Sequence, residues 1–178
     1  MHFSAPLILA TAITGAHSLV VQRDAAAILG VFKNVQTDID GLDSAVKAWT
    51  SDPAPVLDGS NKLVATITKG TTTVKGTANL TLSDATGLLG PVKTLKEHAQ
   101  TLVNDLKGKK DVVQKGGLCD AVSGQVSSIG DKSKQLIDAT VSKVPEAAQN
   151  IAKQQAQGFI DILNDAKTAF SPANCKNA

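Results

Sequence analysis

The chain has 178 residues and a formal net charge of +2 at pH 7, with 18 Lys and Arg side chains against 16 Asp and Glu. Because the two signs are interspersed and form no basic block, the sequence provides no electrostatic basis for nucleic-acid binding. Aromatic residues make up 3% of the chain and Tyr is absent. Such a chain cannot build the exposed aromatic platform on which sugars or single strands stack. Any ligand must therefore be recognised by aliphatic side chains.

The first 18 residues, MHFSAPLILATAITGAHS, predict a secretory signal peptide. They contain no Lys, Arg, Asp or Glu, have an apolar run from Pro6 to Ile13, and end in the small-x-small pattern Ala16-His17-Ser18. A transmembrane anchor is the alternative, but it requires about 20 apolar residues. The C-terminal SPANCKNA lacks the hydrophobic tail of a GPI anchor. We therefore expect a soluble, exported protein with no integral membrane anchor and with one domain over residues 19–178.

The first predicted helix has an apolar stripe of seven residues in alternating steps of four and three. Asp24 is the expected cap, and Pro53 and Pro55 are expected to close the segment. The stripe consists of Ile28, Phe32, Val35, Ile39, Leu42, Val46 and Trp49.

The second segment, from Asp58 to Asn79, is rich in Thr, a residue that favours strands. Its apolar spacing nevertheless fits a helix better than a two-residue alternation. We expect a helix of low stability, with a strand as the alternative. Its stripe consists of Leu63, Ile67, Gly70, Val74 and Ala78.

The third segment, from Ser83 to about Lys107, is interrupted near its start by GLLGPV. Pro91 lacks a backbone N–H and costs about 3 kcal/mol inside a helix. Two compatible interpretations stand: Pro91 begins the long helix at its first position, and Leu88 and Leu89 form a movable lid at the cavity mouth, hinged by Gly87 and Gly90. The stripe consists of Leu88, Val92, Leu95, Ala99, Leu102 and Leu106.

The last two segments are predicted from Leu118 to Lys143 and from Pro145 onward, with Pro145 at the first helical position. The fourth stripe consists of Leu118, Val122, Val126, Ile129, Ser133, Leu136 and Thr140. The fifth consists of Ala148, Ala152, Gln155, Phe159, Ile162, Ala166 and Phe170. Because the connections are short, neighbouring helices should run antiparallel. The predicted fold is an all-α, five-helix up-and-down bundle.

Two kinds of covalent modification are expected in a secreted chain. Cys119 and Cys175 are the two cysteines, and a disulfide between them would close a loop of about 57 residues and stabilise the fold by about 4 kcal/mol. A reactive thiol is the alternative. Asn79-Leu80-Thr81 is a glycosylation acceptor, and we expect Asn79 on an exposed turn.

Catalytic chemistry has little basis in the sequence. Beyond the signal region only His98 remains, and it is interpreted as a surface helix residue rather than a base. GxSxG, HExxH and P-loop motifs are absent. The acidic run TDIDGLD lacks the ligand order of a calcium loop, so Asp38, Asp40 and Asp43 are interpreted as a solvated helix face. We predict no metal, no cofactor and no enzymatic activity, although an enzyme that uses carboxylates alone stays open.

Three blocks, TTTVKGTANLTLSDATGLLGPVKTL, LKGKKDVVQKGG and IDATVSKVP, resemble the fungal cell-wall galactomannoproteins and the hydrophobic surface-binding protein A family. DAAAILGVFKNVQTDIDGLDSAVKAW resembles that family's first helix, so the resemblance covers nearly all of residues 24–170. It implies a five-helix bundle, secretion or association with the cell wall, and no enzymatic activity. Some members bind fatty acids, including arachidonic acid, in an apolar tunnel and act in virulence. Others adsorb to hydrophobic surfaces and recruit a hydrolase.

Polar residues within the stripes indicate where a lipid head group could bind. Ser133, Thr140 and Gln155 occupy apolar positions, and their polar groups either bond to their own helix and to solvent or face a cavity. In the second case Ser133 and Gln155 would hold the ligand's polar end. The apolar wall of that cavity is predicted from twelve residues, which would be ordinary core if no cavity exists. They are Leu63, Ile67, Val74, Leu88, Leu89, Val92, Leu95, Val126, Ile129, Leu136, Phe159 and Ile162.

Two functions compete for this fold. The first is a carrier that holds a fatty acid or similar amphiphile inside a closed bundle. The second is an interaction protein that exposes its stripes, spreads on apolar surfaces and presents a secreted hydrolase. The sequence favours the carrier.

Overall fold

The computed structural model describes the backbone of residues 16–178 and the side chains of residues 24–178. The predicted signal peptide, residues 1–18, falls almost wholly outside the described residues and stays a prediction. Across residues 16–178 the regular structure is entirely helical, which confirms the all-α fold class. The helices are α1 (Ala16–Ala48), α2 (Ala54–Gly76), α3 (Leu82–Gly87), α4 (Leu89–Gly108), α5 (Lys110–Lys115), α6 (Cys119–Lys143) and α7 (Glu146–Ala169).

The predicted number of five helices is wrong, because the described chain forms seven helical segments. Five of them, α1, α2, α4, α6 and α7, have 20 residues or more. The other two are the six-residue helices α3 and α5. They arise because the predicted third helix is interrupted at Leu88 and because the residues after Gly108 form a separate short helix.

The seven-residue stripe of α1 is buried along its whole length, as predicted. The predicted cap is wrong, because α1 already begins at Ala16 and runs through Asp24. The Asp24 carboxylate instead accepts a hydrogen bond from the backbone N–H of Ala78 at 3.2 Å. It therefore ties the loop after α2 to α1.

α2 is a helix, so the strand alternative is wrong. It begins before the predicted Asp58, with Pro53 as the N-cap and Pro55 in its first turn. At that position the missing N–H leaves no intrahelical bond unmade, so the two prolines open α2 rather than merely closing α1. Ala78 lies beyond the end of α2 and is exposed, so it does not extend the buried stripe.

α2 is helical although it is rich in Thr. Thr hydroxyls can compete with the backbone for hydrogen bonds, but here four of them donate to carbonyl oxygens of the same helix. Thr68, Thr71, Thr72 and Thr73 each donate to the carbonyl four residues earlier. The buried stripe supplies the apolar contacts that outweigh the low helix propensity of β-branched residues.

α3 begins at Leu82, one residue earlier than the predicted start at Ser83-Asp84. Thr81 is the N-cap, and its side chain and that of Asp84 form a reciprocal capping box. Pro91 is the third residue of α4, inside the first turn. Its missing N–H therefore removes no intrahelical hydrogen bond, which explains how the GLLGPV break is tolerated.

α6 and α7 lie close to the predicted ranges. Gly117, with φ of +69°, precedes α6 and adopts a left-handed conformation that favours glycine. Pro145 is the N-cap of α7 rather than its first helical residue. The predicted bounds of α6 and the predicted start of α7 therefore agree with the structure to within one residue.

The five long helices are arranged in a ring in which each contacts two neighbours. The order around the ring is α1, α2, α6, α7 and α4, and then α1 again. This differs from the chain order of a simple up-and-down bundle, because α2 packs on α6 and α4 packs on α1 and α7. The short helix α3 contacts α1, α4 and α7, whereas α5 contacts α4 and α6. The two short helices therefore lie on the connections between ring positions that are not adjacent.

Cys119 and Cys175 form the predicted disulfide, with Cα atoms 5.6 Å apart. It joins the first residue of α6 to the segment after α7. The same tail is held by two hydrogen bonds, one from the N–H of Cys119 to Asn177 Oδ1 and one from the N–H of Ala178 to the carbonyl of Gln114, both at 3.0 Å. The C-terminal residues are thereby fixed against the start of α6.

No helix among the described residues is both long and apolar enough to cross a membrane.

Candidate functional site

An apolar pocket of about 200 Å³ lies between the helices. All five long helices and α3 contribute to its wall, and no charged side chain of the described residues lines it. Along α1 the lining runs from Phe32 to Trp49, which is about 26 Å at 1.5 Å per residue. The pocket is therefore elongated along the helices, a shape that suits an extended acyl chain.

The residues predicted to bind a ligand are brought together in this pocket, with one exception. Val74 is fully buried near the end of α2 but does not line it. Contact of the others with a ligand stays a prediction. Those that line the pocket are Leu63, Ile67, Leu88, Leu89, Val92, Leu95, Val126, Ile129, Ser133, Leu136, Gln155, Phe159 and Ile162.

The sequence-based set omitted the contribution of α1, although α1 carries the most regular apolar stripe. A periodic stripe marks the inward face of a helix but does not distinguish residues that pack against each other from residues that border a space. The signal was therefore present and was interpreted as core alone. The α1 lining residues are Phe32, Val35, Ile39, Leu42, Val46 and Trp49.

Five lining residues have polar side chains, namely Ser60, Gln125, Ser133, Thr140 and Gln155. The hydroxyl groups of Ser60 and Thr140 each donate to a carbonyl of their own helix at 2.8 Å. The amide of Gln125 donates to Asn61. Ser60 and Thr140 thereby use their only donor, and Gln125 uses one of its two N–H groups.

Ser133 and Gln155 differ from the other polar lining residues. The Ser133 hydroxyl makes no hydrogen bond with any described residue, so the expected back-bond to its own helix holds for Thr140 but not for Ser133. Gln155 accepts a hydrogen bond from Lys96 Nζ at 3.4 Å, while its Nε2 has no described partner. The two unused donors lie on α6 and α7, which are adjacent in the ring.

The two ends of the bundle are closed differently. Near the start of α1, the loop held by Asp24 leads into α3, whose Ala85 lines the pocket together with Leu88 and Leu89. At the far end of α1, Trp49 is 3% exposed and its Nε1 has no hydrogen-bond partner among the described residues. Lys109 Nζ donates to the Trp49 carbonyl at 2.9 Å and fixes that end. Of the two short helices, α3 contributes a residue to the pocket wall, whereas α5, which follows Lys109, does not.

The acidic run in α1 is not uniformly a solvated face, contrary to the prediction. Asp38 is 7% exposed and forms an ion pair with Lys62 Nζ at 2.9 Å, whereas Asp40 is exposed and bonds to His98 Nδ1. His98 also contacts Gln36 and links α4 to α1. These groups lie outside the pocket, and residues 24–178 contain no cluster of three His, Cys, Asp or Glu side chains that could hold a metal ion.

Asn79 lies in the connection between α2 and α3 and is exposed. Lys143 Nζ donates to the carbonyl oxygens of Lys75 and Thr77, and the N–H of Leu80 donates to the Lys143 carbonyl. The acceptor site is thus presented by a loop that is anchored on both sides. Its glycosylation stays a prediction.

Comparison with known protein families identifies the family of this chain. The sequence model of the family "hydrophobic surface binding protein A" matches residues 25–142. The chain belongs to this family. The match covers α2, α3, α4 and α5, and most of α1 and α6.

Two curated relatives are cell wall mannoproteins. Cell wall mannoprotein 1 of Aspergillus flavus is 30% identical over 171 residues, which cover 96% of this chain and 63% of that protein. Cell wall mannoprotein 1 of Aspergillus fumigatus is 32% identical over 176 residues, which cover 97% of this chain and 61% of that protein. The chain therefore spans about three fifths of the length of these relatives.

Solved structures of similar fold include two determined with fatty acids. Ligand binding domain 1 of the Penicillium marneffei MP1 protein, complexed with arachidonic acids, has a TM-score of 0.81 at 23% identity, covering 84% of this chain and 99% of that one. AFMP4P in complex with palmitic acid has a TM-score of 0.77 at 23% identity, covering 83% and 99%. At this identity the likeness establishes the helical fold of the HsbA family member described here.

Proposed function

We propose that this HsbA family protein is a secreted, non-enzymatic lipid-binding protein that holds a fatty acid or similar amphiphile in the pocket between its five long helices. The observation that carries the proposal is the composition of the pocket wall. The wall is apolar apart from five polar side chains, and two of these, Ser133 and Gln155, have donors on adjacent helices that make no hydrogen bond with a described residue. An acyl chain requires the apolar wall, and a polar head group requires the hydrogen-bond donors.

The energetics permit such binding. Burial of a methylene group is worth about 0.8 kcal/mol, so about sixteen of them contribute a gross term near 13 kcal/mol. Immobilising the ligand and ordering the side chains around it removes a large part of this term. What remains is sufficient for micromolar or tighter affinity.

The size of the pocket implies that the bundle widens on binding. Its volume of about 200 Å³ lies below the roughly 300–1,000 Å³ of typical ligand pockets. We infer that side chains along the ring move outward and that α3, which closes one end, moves to admit the chain. Short elements with few contacts open at the lowest free-energy cost.

The comparisons support this proposal by analogy. Two domains of the same fold were solved with arachidonic acid and with palmitic acid, and the curated relatives are named cell wall mannoproteins. We infer that residues 19–178 form one lipid-binding domain, exported by the signal peptide 1–18, that acts at the fungal cell wall or at a host interface and contributes there to virulence.

Adsorption to apolar surfaces, with recruitment of a secreted hydrolase, is the second candidate, and the family's description favours it. In the closed bundle, the exposed large hydrophobic side chains among residues 24–178 are only Leu29, Leu82 and Ile151. This function would therefore require the ring to open and present its inner face.

Native mass spectrometry of the secreted protein with palmitic acid tests the proposal. We expect a stoichiometric complex that is lost in Ala99→Phe, which fills the pocket, and kept in Ala147→Phe, whose residue is exposed on α7. Circular dichroism of both variants checks that the fold is retained. Absence of a complex in the unaltered protein, together with strong adsorption to polystyrene, would instead establish the second candidate.

A further inference from the structure

Lys96 reaches from α4 across the backbone of α7 toward the pocket. A Cβ placed on Gly158 would lie 3.3 Å from both Cδ and Nζ of Lys96, so the stem of the lysine lies against that glycine. The Lys96 Nζ then donates to Oε1 of Gln155, which lines the pocket. The absence of a side chain at Gly158 is what leaves room for this path.

Lys96 differs from the other two lysines of α4 in having no counter-charge among the described residues. The other lysines of α4 are paired: Lys107 with Asp165 at 3.0 Å, and Lys93 with Glu97 at 3.9 Å. Lys96 is half-buried, and no carboxylate of the described chain forms an ion pair with it. A partly desolvated ammonium with a single long hydrogen bond to an amide would gain from an added anion.

The lysine also fixes which way the Gln155 amide is oriented. An ammonium group can only donate, so the group facing it must be the carbonyl oxygen Oε1. The Nε2 donor is then turned away from Lys96 and stays available on a pocket-lining residue. Lys96 thereby provides a positive charge, and Gln155 provides a neutral hydrogen-bond donor beside it.

We propose that Lys96 is the cationic anchor of the pocket and selects ligands with an ionised carboxylate head group over neutral lipids of the same chain length. This inference rests on the proposed function. In the complex the ammonium faces the carboxylate, Gln155 Nε2 and the Ser133 hydroxyl donate to it, and the acyl chain follows the apolar wall.

The test compares palmitate with hexadecanol, each measured by displacement of the neutral dye Nile red from the full chain. We expect the unaltered protein to prefer palmitate. Lys96→Met keeps an unbranched stem over Gly158 and removes the charge, so palmitate affinity should fall about tenfold while hexadecanol affinity stays the same. Lys96→Arg should retain the preference, and Lys93→Met, on the exposed face of α4, should leave both affinities unchanged.

Three results would overturn the assignment. Equal weakening of both ligands by Lys96→Met would mean that the stem acts by packing alone. Lys96 would not recognise the head group if palmitate affinity were unchanged in that variant. The same would follow if the unaltered protein bound the two ligands with equal affinity. In both cases the pocket would still bind lipid. Failure of the unaltered protein to bind either ligand would remove the proposed function itself, and the anchor with it.

Discussion

Ser133 and Thr140 occupy the same stripe of α6, yet their hydroxyl groups have different surroundings. Thr140 donates to the carbonyl of Leu136 at 2.8 Å, whereas Ser133 has no bond to a described residue. Both positions line the pocket. The sequence could identify the two polar interruptions of the stripe, but not which hydroxyl bonds to its own backbone, because that depends on a side-chain torsion.

Substitution of Ser133 should therefore affect binding, whereas substitution of Thr140 should not. We expect Ser133→Ala to weaken palmitate binding about tenfold, since a hydrogen bond from a neutral hydroxyl to a charged carboxylate is lost. Thr140→Val, which removes a hydroxyl of similar burial, is the matched control and should leave the affinity unchanged. Isothermal titration of both variants with palmitate provides the measurement, and equal effects would contradict the assigned role of Ser133.

Thr81 has two roles that mutations can separate. It is the third residue of the glycosylation acceptor and also the N-cap of α3. We expect Asn79→Gln to remove the glycan without loss of lipid binding, because Asn79 is exposed and the sugar would extend into solvent. Thr81→Ala should remove the glycan and also lower the free energy of unfolding by about 1 kcal/mol.

Mass spectrometry and thermal unfolding distinguish these two effects. Thr81→Ser, which keeps both the acceptor and the cap, is the control. Loss of lipid binding in a folded Asn79→Gln protein would contradict the placement of this loop outside the site.

The short helix α3 lies at one end of the pocket and has few stabilising contacts of its own. It has six residues and a buried contact through Ala85, and it is joined to α4 through Leu88 alone. Its N-terminal side is anchored by the capping box and by the Lys143 bonds to the preceding loop. Any opening must therefore occur at its C-terminal side, where Gly87 and Gly90 flank the Leu88-Leu89 pair.

Stiffening that junction should slow ligand exchange. A Cβ on Gly87 or Gly90 would meet nothing within 4 Å, so Gly87→Ala/Gly90→Ala should fold without a clash. Alanine restricts the backbone at both positions. We expect slower uptake and release of a fluorescent fatty acid in stopped-flow experiments, with a smaller change in equilibrium affinity.

Gly124→Ala is the matched control, since its added Cβ is equally free of contacts but lies in α6, away from the junction. Rates in the double variant that equal those of the control would mean that the GLLGPV break is a helix boundary and nothing more.

The helical type of the long segments followed from sequence because each has an apolar stripe, whereas the starts of α1 and α2 lie before the predicted positions. The arrangement of these helices did not follow from sequence. Local spacing specifies which face of α2 is buried but not whether it packs on α4 or α6, because that choice is made by contacts distant in sequence. Val74 illustrates the same limit within the site, since its stripe position fixed its burial but not whether it faces open space.

The disulfide constrains the unfolded chain more than the folded one. The pairing spans 56 residues that include α6 and α7, and the chain-entropy model gives about 4 kcal/mol for such a loop. We expect Cys119→Ser/Cys175→Ser, or reduction, to lower the free energy of unfolding by a few kcal/mol with little loss of helicity at room temperature. Circular dichroism during urea unfolding checks both quantities, and free thiols in the secreted protein would contradict the native bond.

The position of that same bond also determines how the protein would respond to a pulling force. Tension applied between the N-terminal helix and the C-terminal tail passes from Cys119 to Cys175 through the two sulfur atoms and bypasses everything between them. α6 and α7 would stay unloaded even after the remaining helices had been drawn out. The shielded length, 56 residues at about 3.4 Å each, is about 190 Å. Under such a force the protein would thus keep its α6–α7 hairpin intact until a reductant releases that hidden length.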